Sequence, residues 1–325
     1  MLGHADVHVH TKYSGVTEHG ILKFPESVSN PNDVVKIAKR VNLDIVCITD
    51  HNSILGAVKA KSFAKEHDCV EVVVGEEIST ADGEIIGLFL NELVPPGLSV
   101  EETVDLVRQQ DGMLVAPHPF SYHVPALGLL VDDIDLDGIE VINGGHIDGP
   151  ANDRAMEHSR SGRWARVAGS DAHSLSQIGC AYTLFPGEGE EDFRIALKNK
   201  VTDVYGSTMP LHLGVQWSIG IVLKADELML RSILGVMEGE EGDPLVDAIS
   251  HMRTDQKMLA LFGSAIYLTP PIPYLAGIAS KAIMRKKHEI RDQMNRFRRR
   301  LVMQPEINHS HDGAGALDPP SSQKR

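Results

Sequence analysis

From residue 1 to about 206, short apolar runs alternate with stretches whose apolar residues recur at helical spacing. Residues 7–10 read as a strand, and 32–41 as an amphipathic helix with Val34, Val35, Ile37, Ala38 and Val41 on one side. Residues 43–48 are a β-branched run. A second helix follows with Ala57, Val58, Ala60, Phe63 and Ala64, and Ser53 is its expected cap. Strands are predicted at 70–74, 85–90, 113–116, 138–142, 165–168, 180–185 and 201–205, with helices at 99–110, 151–161 and 190–199. The 85–90 run lies close enough to 70–74 to be its hairpin partner or the next strand. Strands alternating with helices imply an α/β fold of β/α units, as an open sheet or a barrel. From 211 to 300 the pattern is mostly helical, with Gly and Pro breaks.

The unusual residues sit where these runs stop. His8 and His10 alternate along the first strand and so project the same way, with Asp6 on that face as an acceptor for a ring N–H. His51, Glu77, His118, Asp171 and His173 each fall at or just past a strand end. In a β/α barrel all strand carboxyl ends open on one face, so these scattered residues would converge. Imidazole and carboxylate donors brought together suit a shared divalent metal.

Five stretches carry a specific resemblance. They are Asp6-Val7-His8-Val9-His10-Thr11, Ile48-Thr49-Asp50-His51, Gly75-Glu76-Glu77-Ile78-Ser79, Ala116-Pro117-His118-Pro119 and Gly169-Ser170-Asp171-Ala172-His173. In order and spacing the first 200 or so residues resemble the PHP family, the polymerase and histidinol phosphatase domain. The resemblance implies a distorted (β/α)7 TIM-like barrel, two or three divalent metal ions, and phosphoester hydrolysis. His8, His10, Glu77 and Asp171 resemble the ligands of one metal. Glu77 would bridge to a second that also takes His118, and His51 and His173 resemble ligands of a third. Asp171, His173 and His51 are the expected catalytic positions, while Asp6 and Asp50 are expected to hold ligands in place. Two departures stand out: Gly15 occupies a position where many members carry an acidic residue or His, for which His19 is a candidate replacement. Glu84 precedes Ile85-Ile86-Gly87 where many carry His, and a carboxylate can ligate there instead. Lys12 and Asn143 are candidate substrate contacts. Asn143 ends a strand ahead of Gly144-Gly145-His146.

Mixed His and carboxylate donors fit zinc, manganese or iron better than calcium. No nucleophile-elbow Gly-x-Ser-x-Gly, Walker A loop or dinucleotide fingerprint competes. The 325-residue chain carries a formal net charge of −14, which argues against coating of nucleic acid by the whole molecule. Three cysteines form no disulfide framework, and Cys47 reads as a core residue. With no signal-peptide pattern, a cytoplasmic location is expected.

The organisation expected is a metal-dependent domain at 1–206, a mainly helical extension at 207–303 and a disordered tail at 304–325. Residues 258–280 hold no charged side chain, long enough to span a bilayer, yet Pro270, Pro271 and Pro273 interrupt them. A buried helical pair is expected there, with membrane association as the alternative. Lys281 to Arg300 then carry nine Lys or Arg against Glu289 and Asp292. That run could meet nucleic acid, anionic lipid or an acidic surface of the same protein. The function expected is hydrolysis of a small phosphorylated metabolite or nucleotide. The alternatives are a nuclease or nucleotide-end phosphoesterase, and a non-catalytic metal-stabilised scaffold.

Overall fold

The computed structural model describes residues 1–19, 22–237 and 242–302, without the side chains of 18, 19, 22, 23 and 295–302. The expected tail at 304–325 and the side chain of His19 therefore lie outside the described residues. The amino-terminal part runs β1 (Leu2–Val9), β2 (Val16–His19), β3 (Leu22–Pro25), α1 (Pro31–Arg40), β4 (Ile45–Ile48), α2 (Leu55–Glu66), β5 (Glu71–Ser79) and β6 (Glu84–Leu88). It continues through α3 (Val100–Gln109), β7 (Met113–Ala116), β8 (Gly138–Asn143), α4 (Gly149–His158), β9 (Ala165–Gly169), β10 (Ala181–Pro186), α5 (Glu190–Asn199) and β11 (Asp203–Gly206).

Nine strands form one sheet in the order β11-β10-β1-β4-β5-β6-β7-β8-β9. The pairs β1/β4, β4/β5, β7/β8 and β8/β9 are parallel, as the alternating pattern implies. β6 is antiparallel to both β5 and β7, so residues 85–90 supply the hairpin partner rather than another β/α unit. β10 and β11 are antiparallel as well. The sheet curls until its ends nearly meet. The amide of His10 donates to the carbonyl of Ala172 (3.0 Å), and Thr183 Oγ1 of β10 bonds both the amide and the carbonyl of Ala168 in β9. Gly169 permits this approach, since a Cβ there would run into the His8 side chain.

Alternation along the strands divides the core into two apolar layers. Val46, Ile48, Val72 and Val74 pack with Val34, Val35, Ala57 and Ala60 of the first two helices. Ile45, Cys47 and Val73 belong to the other layer, with Phe193 and Leu197 of α5. Helix starts follow from local chemistry. Asn30 caps α1 ahead of Pro31, and Ser99 with Glu102 forms a capping box on α3. At α2 the residue at the cap is Ile54, and Ser53 only accepts a weak bond from the Leu55 amide.

Beyond the sheet come α6 (Leu211–Ile233), α7 (Pro244–Ser250), α8 (Thr254–Tyr267) and α9 (Ile272–Val302). Ala225, Leu228 and Met229 of α6 bury a small core with Leu245, Ile249 and Ala260. The expected burial of residues 258–280 is not found: Phe262, Ile266, Tyr274 and Leu275 all remain exposed, Phe262 by 67%. The cause is the bend of 85° between α8 and α9, which leaves α8 only its Lys257, Ala260 and Ser264 side to bury. Among the described residues no single helix is long and apolar enough to cross a membrane. The bent pair reaches that hydropathy only jointly.

Candidate metal centre

The carboxyl ends of β1, β4, β5, β7 and β9 point their terminal side chains into one cleft of about 540 Å³. Its centre is built from β1. Alternation sends His8 and His10 inward together, and both are fully buried. His8 Nε2 lies 3.0 Å from His10 Nε2, 3.1 Å from Glu77 Oε2 and 3.5 Å from Asp171 Oδ1. His10 Nε2 lies 3.2 Å from Glu77 Oε2 and 3.1 Å from Asp171 Oδ1.

The outer ring nitrogens are committed elsewhere. His8 Nδ1 faces Glu140 Oε1 at 3.2 Å. His10 Nδ1 faces Ser14 Oγ at 3.0 Å, and that hydroxyl donates to Asp50 Oδ1 at 2.8 Å, so it accepts from the imidazole. Both rings thus carry their proton on Nδ1 when neutral and aim the Nε2 lone pairs at one point. Two lone pairs 3.0 Å apart between two carboxylates call for a cation. The donor spacing also suits one, because tetrahedral bonds of about 2.05 Å set donors about 3.3 Å apart. The donor set therefore fits a divalent ion.

Both carboxylates reach past this centre. Glu77 turns its other oxygen to His118 Nε2 (2.9 Å), and Asp171 turns Oδ2 to His146 Nε2 (3.3 Å). His118, His146 and Asp171 form a second group of mutually close donors. On the far side His10, His51 and His173 form another, and His51, Glu77 and Glu84 a fourth. The rings of His51 and His173 flank that of His10 at 4.7 and 4.2 Å. Glu84 arrives because β6 is antiparallel: its first residue lies beside the last residue of β5, Ser79. Backbone strain marks the site, since His118 (φ 28°) and Asp171 (φ 48°) both adopt the left-handed region.

Charge partitions sharply here. Burial disfavours protonated His8, but Asp171, Glu77 and Glu140 reverse this and hold it well above 6.5. His10, buried but bonded to Asp171 and Glu77, is raised to about 9. Burial would raise Glu77 and Asp171, yet the histidines around them pull both well below the usual carboxylate range. Burial chiefly pushes His51 down to about 4 and His173 to about 3. Glu84 goes up to about 9 through burial, with Glu77 and Asp171 adding repulsion.

The predicted residues His8, His10, His51, Glu77, Glu84, His118, Asp171 and His173 are therefore all brought together. Three others act differently from expectation. Asp6 does not reach the His8 ring; it accepts from the amides of Ser170 (2.8 Å) and Gly179 (2.9 Å), joining β1 to the loops after β9. Lys12 pairs with Asp243 (2.8 Å) in a depression shared with Tyr13 and Lys59, away from the cleft. Asn143 is fully buried and donates to Glu140 Oε2 (3.0 Å) and Asp171 Oδ2 (3.1 Å), so it positions carboxylates instead of meeting substrate. Asp50 reaches the His10 ring through Ser14.

Four residues escaped the sequence reading. Glu140 is a lone charge within an apolar strand run, a signal that was available. His146 follows the same strand-end rule as the others. Ser14 carried no signal. Glu26 enters from β3 and comes within 4.0 Å of His173 Nε2.

The PHP domain family matches residues 6–114, and the PHP-associated family matches residues 149–202. Uncharacterized protein MJ1587 of Methanocaldococcus jannaschii is 52% identical over 152 residues, which span 47% of this chain and 88% of the relative. Uncharacterized protein MJ0417 of the same organism is 35% identical over 120 residues, 35% of this chain and 51% of that one. The crystal structure of PsfC from Pseudomonas syringae PB-5123 aligns at a TM-score of 0.44 and 18% identity, covering 63% of this chain and 92% of that one. On these matches, the chain belongs to the PHP domain family and carries the PHP-associated region that follows it.

Proposed function

We propose that this protein is a metal-dependent phosphoesterase that hydrolyses a small phosphorylated metabolite or nucleotide. One observation carries the reading. Glu77 and Asp171 each present one oxygen to the His8–His10 pair and the other to a further histidine, His118 or His146. That pattern suits two or three divalent ions in contact with a single substrate group.

His8, His10, Glu77 and Asp171 would hold the first ion, His118 and His146 would extend the site, and His51 and His173 with Glu84 would complete it. Ions held there supply Lewis acidity: they activate water near neutral pH and offset phosphoryl charge. The chain's own groups do the rest. His173 Nδ1 donates to the Asp171 carbonyl (2.9 Å), which leaves Nε2 as an open acceptor on the cleft wall. Burial keeps His173 and His51 neutral, so their ring lone pairs stay available to an ion at that wall. Glu84, protonated up to about 9 in the ion-free site, has a proton to release when a cation arrives.

A second reading, nucleotide ends as substrate, is favoured by the placement of the basic run. Lys287 donates to the carbonyl of Tyr122 (3.3 Å) and His288 pairs with Asp148 (2.6 Å), and the neighbouring His123 lines the cleft. The described part of α9 thus sets positive charge beside the opening.

Metal analysis of untagged protein, paired with phosphate release from a mixed phosphoester panel with and without manganese, tests the proposal. Two or three equivalents of metal are expected, with turnover reduced more than about 100-fold in His10→Ala and Asp171→Ala. Bound metal without turnover on any monoester, diester or oligonucleotide would transfer the assignment to a metal-stabilised scaffold.

A further inference from the structure

A second cavity, of about 480 Å³, opens between β3, α6 and α8. It shares Thr17, Glu26 and Trp217 with the metal cleft, so the two spaces adjoin along these residues. The two spaces differ in chemistry. The cleft is lined by histidines and carboxylates, whereas the second cavity is walled by Phe24, Pro25, Ile221, Val222, Ala260 and Tyr267. Among its polar groups, Ser218 Oγ and the Tyr267 hydroxyl bond each other at 2.8 Å, while Thr17 and Glu26 lie on the side shared with the cleft. Trp217 stands at the junction, with its ring edge-on to His173 at a centroid distance of 5.6 Å. Either volume alone is of ligand size.

We infer that the substrate is an amphiphilic phosphomonoester, with its phosphate at the metal centre and a hydrocarbon chain in the cavity behind Trp217. This rests on the phosphoesterase reading and narrows it. The chain would gain apolar contact there that a sugar phosphate or nucleotide would not. In the reaction the oxygen of water bonds to phosphorus as the bond from phosphorus to the alkyl oxygen breaks. The alcohol leaves with the proton from water, and inorganic phosphate is the other product. The carboxyl-terminal helices then become part of substrate selection, because α6 and α8 form most of the chamber.

Gly263 offers a clean probe. It is exposed and lines the cavity from α8, and a Cβ there meets nothing within 4 Å, so Gly263→Phe adds a ring at the cavity wall with no clash at its Cβ. The replacement also favours helix over glycine, so folding is not the obstacle. The metal-loaded enzyme is assayed for phosphate release from methyl, butyl, hexyl and octyl phosphate. The expected kcat/KM rises about two- to fourfold per methylene as burial accrues. Gly263→Phe should abolish that rise, with a loss that grows from methyl to octyl phosphate. A flat series, or the same slope in Gly263→Phe, would overturn the inference.

If no ester in the series releases phosphate, the phosphoesterase reading fails separately. The chamber is then judged by Trp217 fluorescence during titration with alkylphosphonates. A chain-length-dependent change that is lost in Gly263→Phe supports the chamber, and no such dependence ends it.

Discussion

Glu140 serves two ligands at once. One oxygen faces His8 Nδ1, and the other accepts the amide of His118 (2.7 Å) and the amide of the Asn143 side chain. Such outer partners fix ring tautomer and tilt, so Glu140→Gln should weaken metal affinity by roughly 10- to 100-fold, read by chelator competition. Unchanged affinity would remove Glu140 from the scheme. A pH consequence follows from the ion-free protein. His10 is raised above its unfolded 6.5 to about 9, so its stabilising proton is fully present below 6.5 and lost as pH rises through 9. Glu84, raised from 4.5 to about 9, loses its contribution from pH 4.5 upward until about 9, so its decline overlaps that of His10. Chelated protein should therefore show a Tm that falls between pH 6.5 and 9, and metal should blunt or reverse the fall. A Tm independent of pH there would contradict the assigned protonation. At this scale the clustered histidines and carboxylates were legible because strand-end position and residue type coincide. Asp6 and Lys12 were misread because sequence gives the side on which a residue leaves the strand, not the partner that captures it: two loop amides for one, Asp243 for the other.

Among the elements, β6 shows how far pattern reaches. Its apolar run was plain, but its direction decides that Glu84 joins the cleft, and direction is set by the tight turn through Thr80 and Gly83, not by hydrophobicity. β2 and β3 were not predicted. Val16–His19 and Leu22–Pro25 are only four residues each, too short for a distinct pattern, and β3 lies against α6. The predicted helix at 99–110 took Ser99 as its first residue, where the structure makes it the N-cap of a capping box with Glu102. Ser99→Ala should lower stability by about 1 kcal/mol in chemical denaturation while leaving phosphate release intact, since α3 is remote from the cleft. Loss of activity at full stability would show instead that α3 has a role the geometry does not assign.

For the whole molecule, the net charge of −14 makes the distribution of cations decisive. Lys281, Arg285 and Lys286 lie on the exposed side of α9, while Lys287 and His288 anchor the helix to the loops beside the cleft. If α9 draws anionic substrate inward, K281E/R285E/K286E should raise KM several-fold at low salt with kcat unchanged, and the difference should vanish at high ionic strength. A kcat effect, or no dependence on salt, would refute that steering. The exposed apolar side of α8 was beyond the sequence, whereas the break ahead of α9 was legible in Pro270, Pro271 and Pro273. An uncharged run reads equally well as buried or as open, and only the 85° angle decides which.

The Lys12–Asp243 pair bears on how this protein is inherited and engineered. Lys12 lies between His10 and Ser14, and Asp243 uses its other oxygen to accept the amides that open α7 (3.0 and 3.4 Å). A single carboxylate thus fastens the late helices to the loop that orients an early histidine. A barrel cut out at residue 206 would lose that carboxylate, and with it the ion pair made two residues from His10.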